Sequence, residues 1–150
     1  MLRTRRSSVM NWPETNVALF AFLLNLPWEI WQIPLFKGVA SLAHWDGVIM
    51  CTRAAVGDAV IALLAFWLVT ATVRSRGWIR RPTAVTLGIF VAVGVVATVV
   101  LEYWATQGGG RWQYAEAMPR LPLLGTGLAP LLQWLLLPPV VVWLVRRQIP

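Results

Sequence analysis

Four apolar runs, at about Val17–Phe36, Ala54–Val73, Ala84–Trp104 and Leu123–Val145, decide what this chain can fold into. Each approximates the ~20 residues a helix needs to cross a ~30 Å hydrocarbon layer. Lipid offers no hydrogen bonds to a bare backbone, so runs of this length satisfy their own as helices. The connections between them are short and polar, which makes successive helices antiparallel. The expected fold is all-α: an integral membrane four-helix bundle, one transmembrane domain over residues 1–150.

Composition agrees. Hydrophobic residues make up 58% and charged residues 13%, far from the balance of a soluble domain. The net charge of +7 raises nucleic acid as a partner. However, the arginines cluster at the ends of apolar runs, where they fix membrane topology. No nucleic acid partner is expected; the lipid bilayer is. Nine of the 13 lysines and arginines lie in the N-terminal tail, in Arg74-Ser75-Arg76-Gly77-Trp78-Ile79-Arg80-Arg81-Pro82 and at Arg146-Arg147. The other four are Lys37, Arg53, Arg111 and Arg120. The excess of positive charge places both termini in the cytoplasm. Arg3, Arg5 and Arg6 before the first run imitate a signal peptide, but that run has spanning length and reads as an uncleaved first helix. Cys51 and His44 are each single, so no intrachain disulfide or zinc site is expected. The residues imply no cofactor.

Chemistry concentrates in Asn25-Leu26-Pro27-Trp28-Glu29-Ile30-Trp31-Gln32. A carboxylate at such depth is costly in hydrocarbon and marks a candidate site. Glu29 lies seven residues before Phe36, roughly 10 Å below the outer boundary at ~1.5 Å per residue. Asp58 lies five residues after Arg53, roughly 7 Å down by the same rise. Glu102 closes the third run. Helical spacing puts Asn25, Trp28, Glu29 and Gln32 on one face, and Ala55, Asp58, Ala62 and Ala65 on another. Gly94, Thr98 and Glu102 form a third stripe, and Gly125, Ala129 and Gln133 a fourth. Facing inward, these stripes gather Glu29, Asp58, Glu102, Asn25 and Gln133 around one outward-opening pocket. The alternative is a polar network that only ties the helices together.

Arg53, Arg111 and Arg120 border this region and are candidate partners for the acids. The N-termini of the second and fourth helices are expected to point their dipoles into it. Gly125-Thr126-Gly127 fits either close helix packing or an anionic headgroup at a helix start. Pro27 and Pro34 frame Glu29, and Pro130, Pro138 and Pro139 are expected to interrupt the fourth helix. Among the ten tryptophans, Trp12, Trp45, Trp78, Trp104, Trp112 and Trp143 fall near boundaries and read as belt residues. Trp28, Trp31, Trp67 and Trp134 lie deeper. Trp28 and Trp134 share faces with the polar stripes, as packing or as walls for an isoprenoid-like ligand. The connection Lys37 to Arg53 is expected to lie along the interface. Between Thr106 and Pro122, Gly108-Gly109-Gly110 allows a sharp turn and Trp112 and Tyr114 suit headgroup level.

The segments Asn25–Glu29 with Gln32–Leu35, Gly57–Ala62, and Glu102 with Arg111–Tyr114, Met118-Pro119 and Gly125–Trp134 resemble a family of short four-span bacterial inner-membrane proteins. That resemblance covers most of the chain and implies a bacterial source, but supplies no activity. The order Glu102, Trp112-x-Tyr114 and a final span with glycine and proline is also similar to membrane carotenoid hydratases and cyclases, without their signature motifs. Together the residues lead to two expectations. One is binding of a small amphipathic or lipid-like ligand by Asn25, Trp28, Gln32, Arg53, Arg111, Trp112, Tyr114, Gln133 and Trp134 around the acids. The other is catalysis, with Glu29 above all, then Asp58 or Glu102, as general acid on an isoprenoid or lipid. A proton or ion path, or an assembly subunit, ranks behind these.

Overall fold

The protein is described by a computed structural model over residues 9–108 and 110–149. Arg3, Arg5, Arg6 and the middle glycine, Gly109, lie outside the described residues. Four long helices carry the chain: α1 Pro13–Gln32, α2 His44–Val73, α3 Ala84–Tyr103 and α4 Leu128–Gln148. All four are long and apolar enough to cross a membrane, with mean hydropathies of 1.2, 2.0, 2.6 and 2.0. Only 22, 39, 22 and 50% of these stretches is buried within the protein. The remainder, including Trp31, Leu64, Val85 and Val96, is an apolar exterior that suits lipid and not water.

The helices form a ring: α1 packs on α2 and α4, and α3 on the same two. Small residues permit this. Ala55, Ala59, Ala62 and Ala65 are buried along α2 and let α1 and α3 approach closely. Gly94 does the same on α3, where a Cβ would stand 1.8 Å from the Trp134 ring. The end of the bundle at the α2–α3 connection is plugged by Trp78 and Ile79, buried on a short 3-10 turn. Trp78 stacks between Phe66 and Phe90 at ring distances of 5.7 Å. It is therefore a core residue and not the belt residue its position suggests. Thr83 caps α3, accepting from the Thr86 amide at 3.2 Å while Thr86 Oγ1 accepts from the Thr83 amide at 2.9 Å. Such reciprocal capping satisfies two otherwise orphaned donors.

Helix boundaries differ from those expected. Helix α1 starts at Pro13, whose missing N–H is harmless in a first turn, and ends at Gln32 before a 3-10 turn over Ile33–Leu35. Helix α2 begins ten residues early, at His44, so Arg53 lies within a helix and not in an interfacial loop. Its N-terminus is consequently far above Asp58, and its dipole, confined to the first turn, does not reach the acid. Helix α3 stops at Tyr103 and continues as one π-helical turn over Trp104–Gly108. Helix α4 starts five residues late, at Leu128, leaving Leu123 97% exposed. Pro130 accordingly sits in the first turn, where it costs no hydrogen bond. Only Pro138 and Pro139 are interior to α4.

Candidate functional site

In the half of the bundle away from the Trp78 plug, the centre is one amide. Gln133 Nε2, from α4, stands 2.6 Å from Asn25 Oδ1, 3.0 Å from Glu29 Oε1 and 2.9 Å from Asp58 Oδ2. Helical periodicity explains the convergence: Asn25 and Glu29 are one turn apart on α1, and Asp58 lies on the small-residue face of α2. Asn25 is held from behind, its Nδ2 donating to the Ala21 carbonyl at 2.7 Å. A primary amide nitrogen carries two hydrogens, so three acceptors compete for two. Gln32 also bonds Glu29, Trp134 bonds Asp58, and the two carboxyls bond each other.

Among the described residues, no cationic side chain pairs with either carboxyl. The described residues hold one ion pair, Glu14 with Arg76 at 2.5 Å, between the start of α1 and the turn before α3. Arg53 is exposed. Arg111 lies over the Trp104 ring at 5.3 Å and Arg120 over the Tyr114 ring at 5.2 Å. The expected arginine partners are thus engaged with aromatic rings or turned outward, because their backbones sit in the outer loop or on the surface of α2.

Exposure is graded across the cluster. Asn25 and Gln133 are 4 and 3% exposed, whereas Glu29 and Asp58 are half-buried. Directly beneath, Asn25, Gln133 and Trp134 border a cavity of about 10 Å³ closed by Ala21, Ala62, Phe90, Leu137, Pro138 and Val141. That is room for about one water. Gln32 is 4% exposed and its Oε1 is buried without a hydrogen bond, as is Trp28 Nε1. Trp28 packs on Trp31 at 5.4 Å. Trp134, by contrast, is seated in the notch left by Gly94.

Glu102 is not in this cluster. It is 8% exposed and lies under the loop between α3 and α4, where it accepts a very close hydrogen bond from the Tyr114 hydroxyl and a longer one, 3.5 Å, from Trp112 Nε1. Tyr114 Oη in turn accepts from the Gly127 amide at 2.9 Å. Burial, and then the bond to Glu102, push the Tyr114 phenol pKa up. The single five-residue pocket expected from the stripes is therefore two sites: Asn25–Glu29–Asp58–Gln133, and Glu102–Tyr114–Gly127. The reason is the late start of α4, which leaves Gly125 outside the helix and gives Glu102 a loop to hold.

That loop is firmly built. Lys37 and Ala115 amides donate to Gln113 and Leu35 carbonyls at 2.8 and 2.9 Å, stitching it to the end of α1. Gly125, at φ 65°, makes a turn closed by its amide to the Leu121 carbonyl. A Cβ on Gly127 would stand 2.9 Å from the Tyr114 ring and 3.0 Å from Met118 Sδ. The Gly125-x-Gly127 pair is thus a turn and a close approach of loop to ring. Among the described residues, no three His, Cys, Asp or Glu side chains are grouped to hold a metal ion.

Known proteins add nothing to this picture. No family model, no curated protein and no solved structure matches the chain. The ion pair Glu14–Arg76 is what sequence reasoning missed. Gly94 and Gly127 both left a signal, one as a small residue in the stripe that ends at Glu102 and the other in the Gly-x-Gly pair, but their partners, the Trp134 and Tyr114 rings, did not.

Proposed function

We propose that this is a multi-pass protein of a bacterial inner (cytoplasmic) membrane, with both termini cytoplasmic, that binds a small amphipathic or lipid-like ligand in its outer half. One observation carries the reading: two half-buried carboxyls from different helices meet at the Gln133 amide, and no cationic side chain among the described residues bonds to either. Intramembrane acids are expensive to keep, and an acid that ties helices together needs no open edge. Glu29 and Asp58 keep one. The Trp28 and Trp134 rings beside them supply the apolar flank that a lipid-like molecule requires.

The deciding experiment is native mass spectrometry of protein extracted gently from its own membranes. A co-purifying small molecule retained by the wild type and lost with Asp58→Asn is the expected result. A ligand-free wild-type spectrum together with a fully folded Asp58→Asn protein overturns the proposal in favour of a purely structural network.

A second reading has its own support. Two carboxyls gathered at one amide beside aromatic rings have the makings of a general acid toward an isoprenoid double bond. Under it, Glu29→Gln leaves the fold intact while a lipid precursor accumulates, and unchanged lipid content counts against it. A continuous proton path has less support, because the cavity beneath the cluster is walled chiefly by Ala21, Ala62, Phe90, Leu137 and Val141.

A further inference from the structure

The chemical class of the ligand follows from the donor and acceptor inventory of the same site, and so rests on the ligand-binding reading above. The acceptors are Asn25 Oδ1, a Glu29 oxygen and an Asp58 oxygen, all 2.6–3.0 Å from one nitrogen. These are ordinary N–H···O distances. The nitrogen they surround has two hydrogens, whereas an ammonium has three. Among the described residues no cationic side chain pairs with either carboxyl, which favours a positively charged donor over a neutral one. A further acceptor stands alongside. Gln32, 4% exposed, bonds Glu29 through its side chain, and its Oε1 is buried with nothing to accept from.

We propose that Asn25, Glu29, Asp58 and Gln32 form a receptor for a primary ammonium group carried by an amphiphile, with the Gln133 amide standing where the ammonium nitrogen would bind. Rotation of the Gln133 side chain exchanges a two-hydrogen neutral donor for a three-hydrogen charged one. Each bond to a carboxylate then becomes charge-assisted. The half-buried edge at Glu29 and Asp58 is the entry, and Trp28 and Trp134 flank the carbon attached to nitrogen. A quaternary ammonium is excluded because it has no N–H to donate. An alcohol is excluded because it has one hydrogen and no charge.

Two sources share this chemistry, an aminophospholipid headgroup and a free alkylamine, and the test separates them. The full-length protein is placed in phosphatidylcholine nanodiscs and its tryptophan emission and melting temperature are followed. Hexylammonium, hexyltrimethylammonium and 1-hexanol are added separately, and a parallel set of discs contains phosphatidylethanolamine. The expected result is that hexylammonium binds at least about tenfold more tightly than either control, since several charge-assisted bonds distinguish them. Stabilisation by phosphatidylethanolamine over phosphatidylcholine assigns the lipid as source, and a response to hexylammonium alone assigns a free amine. Equal binding of all three hexyl probes overturns the ammonium inference and leaves the broader ligand-binding reading standing. No response to any amine, in either disc, overturns the inference too, and native mass spectrometry then judges the broader reading separately.

A gain-of-charge variant guards against misfolding of the loss variants. Gln133→Lys puts an ammonium into the cluster from within. It is expected to keep the fold, raise the melting temperature and abolish the response to hexylammonium. If the cluster is only a neutral network, the buried lysine lowers the melting temperature instead, and the inference fails.

Discussion

At the scale of single residues, two glycines and a tyrosine decide more than any acid does. Gly94→Ala would press a methyl into the Trp134 ring. Overpacking of this kind costs about 1–3 kcal/mol, so the melting temperature in detergent should fall and the tryptophan emission should shift. Trp134 adjoins Gln133 and interacts with Asp58, so the same variant should weaken any ligand response at the acid cluster. Tyr114→Phe removes the hydroxyl that joins Glu102 to the Gly127 amide, leaving a buried acceptor and a buried donor without each other. The expected loss is about 1–3 kcal/mol, read from the same melts. Its pH signature is distinctive. The folded phenol titrates above its ordinary value of about 10, from burial first and from Glu102 second. The proton is therefore held more tightly in the folded state. This contribution is full below pH 10 and shrinks as pH rises beyond it, where the unfolded chain ionises first. Melting curves from pH 9 to 11 should fall more steeply for the wild type than for Tyr114→Phe.

At the scale of helices, the sequence is read well in the middle and poorly at the ends. The apolar faces of α1, α2 and α3 were legible because burial in a bundle imposes a 3.6-residue period. Asn25, Gln32, Gly94, Thr98, Glu102 and Gln133 are indeed all buried. Ends were less legible because helix extension outside hydrocarbon is decided by caps and loop contacts, not by hydropathy. His44 to Arg53 is polar enough to read as a loop, yet it continues α2 without a break. Conversely, Leu123 and Leu124 read as membrane and are turn residues. The site divides along the same line. Glu29, Asp58, Asn25 and Gln133 were found together because they sit within helices. Glu102 was misassigned because its partners, Tyr114 and Gly127, belong to an irregular loop. Spin labels test the helix ends. A label at Val48 should be relaxed by a water-soluble nickel chelate and one at Leu64 by oxygen, and the reverse pattern would refute the early start of α2.

At the scale of the whole molecule, the ring of four helices is held by small residues and apolar packing, with the acid cluster and the Glu102 site gathered toward one end. Aromatic Trp78, Phe66 and Phe90 close the other, where Arg76 also spans Glu14 and the Trp67 ring. The bundle itself was legible because four stretches of spanning length admit few other solutions. Its orientation rests on charge alone and is the proposal most simply tested. With Cys51 replaced by alanine, single cysteines at Arg80 and Glu116 should label oppositely in intact cells: Glu116 with an impermeant maleimide, Arg80 only after permeabilisation. The inverse pattern would turn the protein over and move the acid cluster to the cytoplasmic side.

The 30 residues of α2 carry one more implication. At ~1.5 Å per residue the helix measures about 45 Å, some 15 Å more than an average hydrocarbon layer is thick. The surplus is stiff rod, so a thicker bilayer can be met by sinking that rod or righting its tilt, and not by stretching a connection. Spare length of this sort makes a small protein tolerant of the lipid composition around it, and the depth of its acids then depends on which membrane it inhabits.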